Sequence, residues 1–558
     1  MLATQQKNSD TTGRQNVVLP TLFLLGTVAV WIIVDAVLPL LNLYFVSAQL
    51  VPLSQLFLLP SRVLFPGRRL TPFLFQTYGD TSHITSRGTW AEVAVLLGSF
   101  SLLFLCYLLA LRVLPKRVNI GYILASAFLL GLICLLIPVV TSPDLFSYII
   151  YARMETLYHL NPLATTPLAI PKDIVYAYLY WKDQPSAYGP TWIVLSSLLQ
   201  WCITHSFGAK NIAAMVLSLR FLGLFAHLWS ILLVWSISGH LQRLNGTYKP
   251  NLRILATLAF AWNPLLLFEA CVNAHNDSVM LLLLLLGLWV LIRSASLRAF
   301  VCVALLFALA TCLKANAALL LPGLLLYVWR QPQRIPVLVS VVFVYIGTIV
   351  MLYAPFWDHG AILNVLATNP GTFRNQNTLP DFIGQLYNAF QRFRVHASIP
   401  DIGSRAERIT HTFSEGLFVL AYILLCVQAL VQRRLSTPLQ LIRWMTTAWF
   451  LYCLLGAPWF WPWYAVTFFG LFALVETGDT ERMSVWNRVD MTFAVRVFAF
   501  TLLSSYCFVA WGIYNSFMPL FLLQEFRWAY LRGLWIWLPV LLLMLFTFRR
   551  KTLIKAIE

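Results

Sequence analysis

Asp144 closes the tetrad Thr141-Ser142-Pro143-Asp144, which puts a carboxylate at the point where a long apolar run ends and water begins. Ionisable residues beside hydrocarbon are costly and by default mark function. A single carboxylate in such a place can serve as a general base. Because it follows Pro143, it can equally serve only as the cap of the helix that starts there. Tyr148 lies four residues on, hence on the same helix face, and Tyr151, Arg153 and Glu155 continue an amphipathic segment that runs to His159. After Asn161-Pro162 the chain turns polar and loose, until Ser186-Ala187-Tyr188-Gly189-Pro190 opens the next apolar run.

Three further clusters carry polar chemistry. Trp262-Asn263-Pro264 breaks an apolar run, Glu269 follows, and Asn273-Ala274-His275-Asn276-Asp277 sits at the outer end of the break. His275 and Asp277 are metal-ligand types, but two neighbours without a third donor are a weak metal signal, and no metal is expected. Contact of His275, Asn276 and Asp277 with a polar substrate, or helix capping by Asn276 or Asp277, are the readings that stay open. Lys314 separates two runs too short to cross a bilayer comfortably. A lysine on the outer side opposes the positive-inside bias and calls for an anion, either a bound phosphate or a lipid head group reached by snorkelling. Pro458-Trp459-Phe460-Trp461-Pro462-Trp463-Tyr464 packs three tryptophans and a tyrosine into seven residues. One or two aromatics would make an interfacial belt. This density fits a wall for a sugar or an isoprenoid, touched by Trp459, Trp463 and Tyr464. Arg374, beside Asn375 and Gln376, is a further candidate for substrate contact, as are Tyr148, Arg153 and Tyr188.

The elements that must hold these residues follow from composition. Of 558 residues, 59% are hydrophobic and 11% charged, against about 25% charged in a soluble globular chain. Apolar runs of about 20 residues, the length that crosses a ~30 Å hydrocarbon layer, recur along the chain. The short alternating segments of an outer-membrane barrel do not. The expected fold is all-α, a polytopic transmembrane helix bundle of about 14 spans with outer-face loops and interfacial or re-entrant helices.

The net charge of +18 does not imply nucleic acid. Lys and Arg gather in short connections, among them Arg112, Lys116 and Arg117, then Arg243, Lys249 and Arg253, then Arg433 and Arg434, as positive-inside orientation requires. All can be cytoplasmic only if the apolar segment 188–205 does not cross. It is short and ends with Gln200 and His205, so it reads as re-entrant or interfacial. Both termini and the connection around Thr247 are then cytoplasmic. Asp144, the segment 273–277, Lys314, the loop 358–414 and the turn 458–464 all lie outside. The outer loop 51–90, with Arg62, Arg68, Arg69 and Arg87, runs against the charge rule, which long loops obey poorly. The polar head 1–17 lacks a cleavable signal. The nine cysteines lie in or beside apolar runs without a Cys-x-x-Cys pair, so they read as packing residues. Four regions result: a polar head with two spans (1–118), a transmembrane module that holds most of the polar clusters (119–357), an outer loop (358–414) and C-terminal transmembrane helices (415–558).

Taken in order, Asp144-x3-Tyr148, Asn161-Pro162, Tyr188-Gly189-Pro190, Asn263-Pro264, His275-Asn276-Asp277, Lys314 and Pro462-Trp463-Tyr464 resemble the GT-C-type glycosyltransferases. Among these, the bacterial polyprenyl-phosphate-mannose-dependent mannosyltransferases are the most similar. The resemblance covers residues 119 to about 475. Each motif is short, and their order and topology carry the specificity. In that family the first large outer loop holds an acidic catalytic residue, which maps onto Asp144, and the donor is a lipid-phosphate sugar in the outer leaflet. Two departures stand out. Leu145-Phe146 follow Asp144 where many relatives have a second acid, which argues against a metal-bridging pair. Two spans precede the module where many relatives have one.

The resemblance implies an integral plasma-membrane enzyme with its active site on the outer face. It would move a hexose, mannose by analogy, from a polyprenyl-phosphate donor to a glycan or glycolipid acceptor. Membrane lipid is the only other partner expected, and no cofactor. A polyprenyl phosphate leaves as a stable anion, so no general acid is needed, unlike the two carboxylates of a glycosidase. One base and one cation suffice, with Asp144 and Lys314 as candidates, and direct displacement would invert the anomeric centre. The competing class is a transporter or flippase of lipid-linked sugars, which would share spans, aromatics and charges but commonly shows repeated halves. A non-catalytic scaffold subunit would tolerate loss of Asp144.

Overall fold

A computed structural model describes residues 2–37, 59–64, 86–137, 141–246, 249–331, 334–395, 403–432, 435–478, 485–512 and 528–557. Among them the chain is α-helical without strands, and one isolated bridge joins Gln376 to Trp459. Thr247, Arg68, Arg69, Arg433 and Arg434 lie outside the described residues.

The longer helices are α1 (Leu2–Val37), α2 (Ser86–Val113), α3 (Ile120–Cys134), α4 (Asp144–Tyr158), α5 (Pro190–Phe207), α6 (Ile212–Leu244), α7 (Pro250–Ala261), α8 (Asp277–Arg293) and α9 (Leu297–Leu313). They continue as α10 (Leu321–Val328), α11 (Arg334–Tyr353), α12 (Leu379–Val395), α13 (Arg405–Val431), α14 (Pro438–Leu451), α15 (Val466–Gly478), α16 (Val485–Gly512) and α17 (Trp528–Ile557). Their starts are written in the sequence. Asn119, Asn211, Ser296 and Ser404 cap α3, α6, α9 and α13 with side-chain oxygens. Thr437 and Gln440 form a capping box on α14. The Asn263-Pro264 break bends the path by 43° between α7 and the next helical stretch, which ends in a π-helical turn, Phe268–Val272. Such turns are frequent at functional sites.

Among the described residues five helices are long and apolar enough to cross a membrane: Val18–Val37, Ala94–Val113, Ile212–Leu244, Arg334–Phe356 and Arg405–Val431. The bent pair Pro250–Ala261 and Pro264–Val272 makes a sixth if it is one span. Five shorter apolar helices accompany them: Ile120–Cys134, Leu297–Leu313, Ala315–Val328, Met491–Cys507 and Leu531–Thr547. A count of about 14 requires these, with α8, α14 and α15, to cross as well. The helix α5, read from sequence as not crossing, is not among the candidates. The stretch 358–414 is more helical than a loop, holding α12 and the first turns of α13.

Packing is inverted relative to a soluble protein. Large apolar side chains such as Phe343, Met351, Phe413 and Val431 are exposed on α11 and α13, as a lipid-facing surface demands. Several polar groups inside the bundle are paired, as hydrocarbon favours. Arg496 grips both carboxylate oxygens of Glu476 at 2.8 and 2.7 Å, and Tyr107 donates to the carbonyl of Ala259 at 2.8 Å. The nine cysteines are unpaired.

Candidate functional site

The site is assembled where α4, α5, the 273–277 turn, the α9 end and two later loops meet. Pro143, not Asp144, occupies the N-cap of α4, without a side-chain cap hydrogen bond. Asp144 is the first helical residue, and its carboxylate is turned to partners distant in sequence. Tyr188 donates to Oδ2 at 3.2 Å, and the Trp181 indole donates as well. Tyr188 is held by its neighbour. The Gly189 N–H donates to the carbonyl of Leu313 at 3.1 Å, and a Cβ at Gly189 would collide with the backbone of Cys312. Glycine is therefore required where this loop touches the end of α9, one residue before Lys314. Asn161 anchors the other end of the loop by donating to the carbonyl of Phe356 at 2.8 Å.

From Tyr188 an aromatic circuit runs round and closes on Asp144. The Tyr188 ring meets Tyr148 edge-on at 4.9 Å, and the Tyr148 hydroxyl bonds His275 Nδ1 at 3.2 Å. His275 stacks on Trp463 at 4.0 Å, and Trp463 on Trp461 at 5.1 Å with the rings 6° apart. Trp461 meets Trp459 at 5.9 Å, and Trp459 meets Trp181 at 6.1 Å. The aromatic turn is fixed by main-chain bonds, Gln376 N–H to the carbonyl of Pro458 at 2.7 Å and Phe460 N–H to that of Gln376 at 3.1 Å. Asn377, at φ 65°, donates to the carbonyl of Phe460 at 2.6 Å.

Charge is arranged around this circuit. Lys314 donates to both oxygens of Asp277, at 2.9 and 2.8 Å, and its ammonium lies 4.2 Å from the centre of the Tyr464 ring. The Arg374 guanidinium lies 5.4 Å from the Trp459 ring and 5.9 Å from Phe373, and its Nε is buried without a partner. Arg532 covers Trp461 at 4.6 Å. Burial pushes the Asp144 carboxyl up to about 6. The Lys314 charge and the Tyr188 and Trp181 hydrogen bonds oppose the shift, and Asp277 reinforces it. Burial and then Lys314 hold His275 well below its ordinary value, so it is neutral. Both amide atoms of Asn276, Oδ1 of Asn316 and Nε1 of Trp461 are also buried without partners. Such groups are costly unless something polar meets them.

The sequence candidates divide accordingly. Asp144, Tyr148, Tyr188, His275, Asp277, Lys314, Trp459, Trp463, Tyr464 and Arg374 come together here, with Asn276 in the same turn. Arg153 does not. Its Nε and Nη2 grip Asp173 at 2.7 to 3.1 Å and its Nη1 donates to the carbonyl of Ala209 at 2.9 Å, so its donors are spent on closing a loop. Glu155 is likewise engaged, by Ser197 at 2.5 Å. Sequence reasoning passed over Trp181, Asn316 and Arg532, whose roles depend on residues far along the chain, and counted Trp461 only as one of the three tryptophans of the aromatic turn. Glu269, singled out but unassigned, lies beneath His275. It accepts from Asn273 at 2.9 Å and Tyr506 at 2.7 Å and sits 3.5 Å from His275 Nε2. Among the described residues no three His, Cys, Asp or Glu side chains gather as a metal site.

Residues 69–330 match the family described as Alpha-(1->6)-mannopyranosyltransferase, N-terminal domain. That range includes Asp144, Tyr188, His275, Asp277 and Lys314 but not Arg374 or the aromatic turn. No curated protein matches the chain. Among solved structures, the Archaeoglobus fulgidus oligosaccharyltransferase is similar at 13% identity and a TM-score of 0.37, over 70% of this chain and 56% of that one. The chain thus spans little more than half of that relative, and at this score the likeness carries no argument. The family match supports the resemblance carried by the motifs. The chain is similar to GT-C-type mannosyltransferases, which supports a membrane glycosyltransferase.

Proposed function

We propose that this protein is an inverting hexosyltransferase of the plasma membrane. It moves mannose from a polyprenyl-phosphate donor to a hydroxyl of a glycan or glycolipid acceptor at the outer face. One observation carries the reading furthest. A carboxyl whose affinity for protons is raised to about 6 closes a circuit of aromatic rings lined by unpartnered polar atoms. Aromatic faces suit the apolar side of a sugar ring, and orphan amide and indole groups suit its hydroxyls.

In the proposed reaction Asp144 takes the proton of the acceptor hydroxyl. The acceptor oxygen bonds to the anomeric carbon from the side opposite the phosphate. The carbon–oxygen bond to phosphate breaks, and its electron pair leaves with the polyprenyl phosphate. A base poised near working pH combines adequate basicity with the right protonation state. The leaving group gains negative charge, so a positioned cation lowers the barrier. Lys314 is largely neutralised by Asp277, whereas Arg374 keeps an unpartnered N–H. Arg374 is therefore the better phosphate clamp, and Lys314 with Asp277 holds the floor beside the base. Arg153 has no part in the reaction.

The test is transfer by the purified protein in lipid nanodiscs supplied with polyprenyl-phosphate mannose and a mannoside acceptor. A new glycosidic bond of opposite anomeric configuration, read by NMR, is expected. Movement of the donor between leaflets without bond formation would replace this reading with a flippase, and neither activity would leave a scaffold.

A further inference from the structure

Helix α12 is built inside out. Its buried positions include Asp381, Gly384 and Asn388, while Ile383, Leu386, Tyr387 and Phe390 are exposed. A helix on a water-soluble protein turns its apolar stripe to the core. Here the polar stripe faces inward, and its polar side chains are bonded there. Asp381 accepts from Asn377 N–H at 2.8 Å and from Gln385 at 3.2 Å, and Asn388 donates to Ser404 at 3.0 Å. At Gly384 the backbone closes on α13, where a Cβ would press against Thr410 at 3.2 Å.

The exposed stripe is continuous with a lipid-facing surface. The neighbouring helix α13 is long and apolar enough to cross a membrane, with only 11% of its apolar window buried. Its Ile409 and Phe413 are exposed in the turns that pack beside α12. Where the end of α12 meets the start of α13, Arg394, Arg405 and Arg408 are all exposed. Cations grouped at the edge of an apolar face suit the phosphates of anionic lipids.

We propose that α12 lies in the boundary layer of an anionic bilayer. Ile383, Leu386, Tyr387 and Phe390 enter the acyl region, and Arg394, Arg405 and Arg408 meet head-group phosphates. The bilayer then seats the segment from Arg374 to Thr378, which enters α12, against the aromatic turn. This rests on the inverted helix and not on the glycosyltransferase reading.

The full chain in nanodiscs, illuminated with phosphatidylglycerol bearing a diazirine in its acyl chain, tests it. The label should fall on Ile383, Leu386, Tyr387 and Phe390 and spare Gln385 and Asn388. It should drop several-fold when Arg394, Arg405 and Arg408 are changed to Ser, or when the probe is phosphatidylcholine. Label on α13 with none on α12 would overturn the proposal. So would crosslinking of α12 to a second copy or another protein in place of lipid, and indifference to the three arginines would remove the head-group contact.

Discussion

Two buried ion pairs, one anchored on α4 and one beside its first residue, have been finished to different degrees. Arg153–Asp173 is complete. Four hydrogen bonds engage the guanidinium with oxygen, Tyr158 donates to the same carboxylate at 2.8 Å, and the Val175 N–H donates to it at 2.8 Å. Lys314–Asp277 is complete only within itself. Its surroundings hold a carboxyl with a raised pKa, an amide with neither atom bonded and an indole N–H without an acceptor. A closed network fixes shape, since buried charge is costly unless every group is met. An open one beside it leaves donors and acceptors that a polar ligand would meet under the proposed function. The difference teaches that in a bundle this rich in buried polarity, burial and charge do not identify a site. Unmet hydrogen-bonding capacity gathered beside a carboxyl of raised pKa is what separates the two pairs.

The sharpest way to break that comparison is at Asp144. A general base contributes roughly 10²–10⁴-fold. Asp144→Asn keeps the shape and can still accept from Tyr188 and Trp181, so the fold and donor binding should stand while transfer falls by about that factor. Transfer rate and donor affinity of the purified variant check it. Near wild-type transfer would return Asp144 to structure and move the search for a base to Asp277.

The two pairs should respond oppositely when one partner is removed. Breaking a buried pair costs about 3–5 kcal/mol, so Arg153→Met should unfold at markedly lower temperature, yet the surviving folded fraction should turn over normally. Lys314→Met should cost stability too, because Asp277 is left unpaired, and should also lower turnover. Adding Asp277→Asn should restore the unfolding midpoint but not the rate. Midpoints and per-molecule rates for all three proteins distinguish the cases, and full recovery of rate in the double variant would make both pairs structural.

Most of the scaffold was legible in the sequence because hydrocarbon enforces it. Apolar length marks helices, and Asn or Ser caps and prolines mark their ends. Spacing placed Tyr148 on the face of Asp144, and the expected outer position of Lys314 called for an anion, a part that the Asp277 carboxylate plays. Local pattern could not separate Arg153 from the site, because its partner Asp173 lies in an irregular loop. Nor could it find Trp181, whose indole reaches Asp144 from 37 residues further along the sequence. The aromatic turn read as either belt or wall. Only the stacking of Trp463 on His275 and the crossing of Trp459 to Trp181 draw it into a circuit.

Arg374 sharpens the comparison from the other side, since it is a cation left with an open donor. Arg374→Gln should reduce transfer by ~10²–10³-fold, the usual loss for one electrostatic stabiliser of developing charge. Stability should be nearly unchanged, because no ion pair is broken. A shortfall confined to donor KM would make it a binding group for the ground state, and a loss shared between kcat and kcat/KM would make it a clamp on the leaving phosphate.

The smallest effect is the pH dependence of Asp144, and its sign can be worked out. Only the ionised carboxylate accepts a proton, so kcat/KM should rise about tenfold per pH unit below about 6 and level off above it. Stability moves the other way. The folded chain holds the Asp144 proton more tightly than the unfolded chain, whose ordinary value is 3.8. Between about 4 and 6 the folded state therefore binds more protons, and this group's contribution to stability falls as pH rises through that window. Asp144→Asn removes the titration and should flatten that part of the unfolding profile while leaving the acid limb of other carboxylates in place. A wild-type rate profile that levels off near 4, or an Asn variant with an unaltered stability slope, would mean that the carboxyl is solvated as an ordinary acid. The distinction between the finished and the unfinished pair would then fail at the residue on which it most depends.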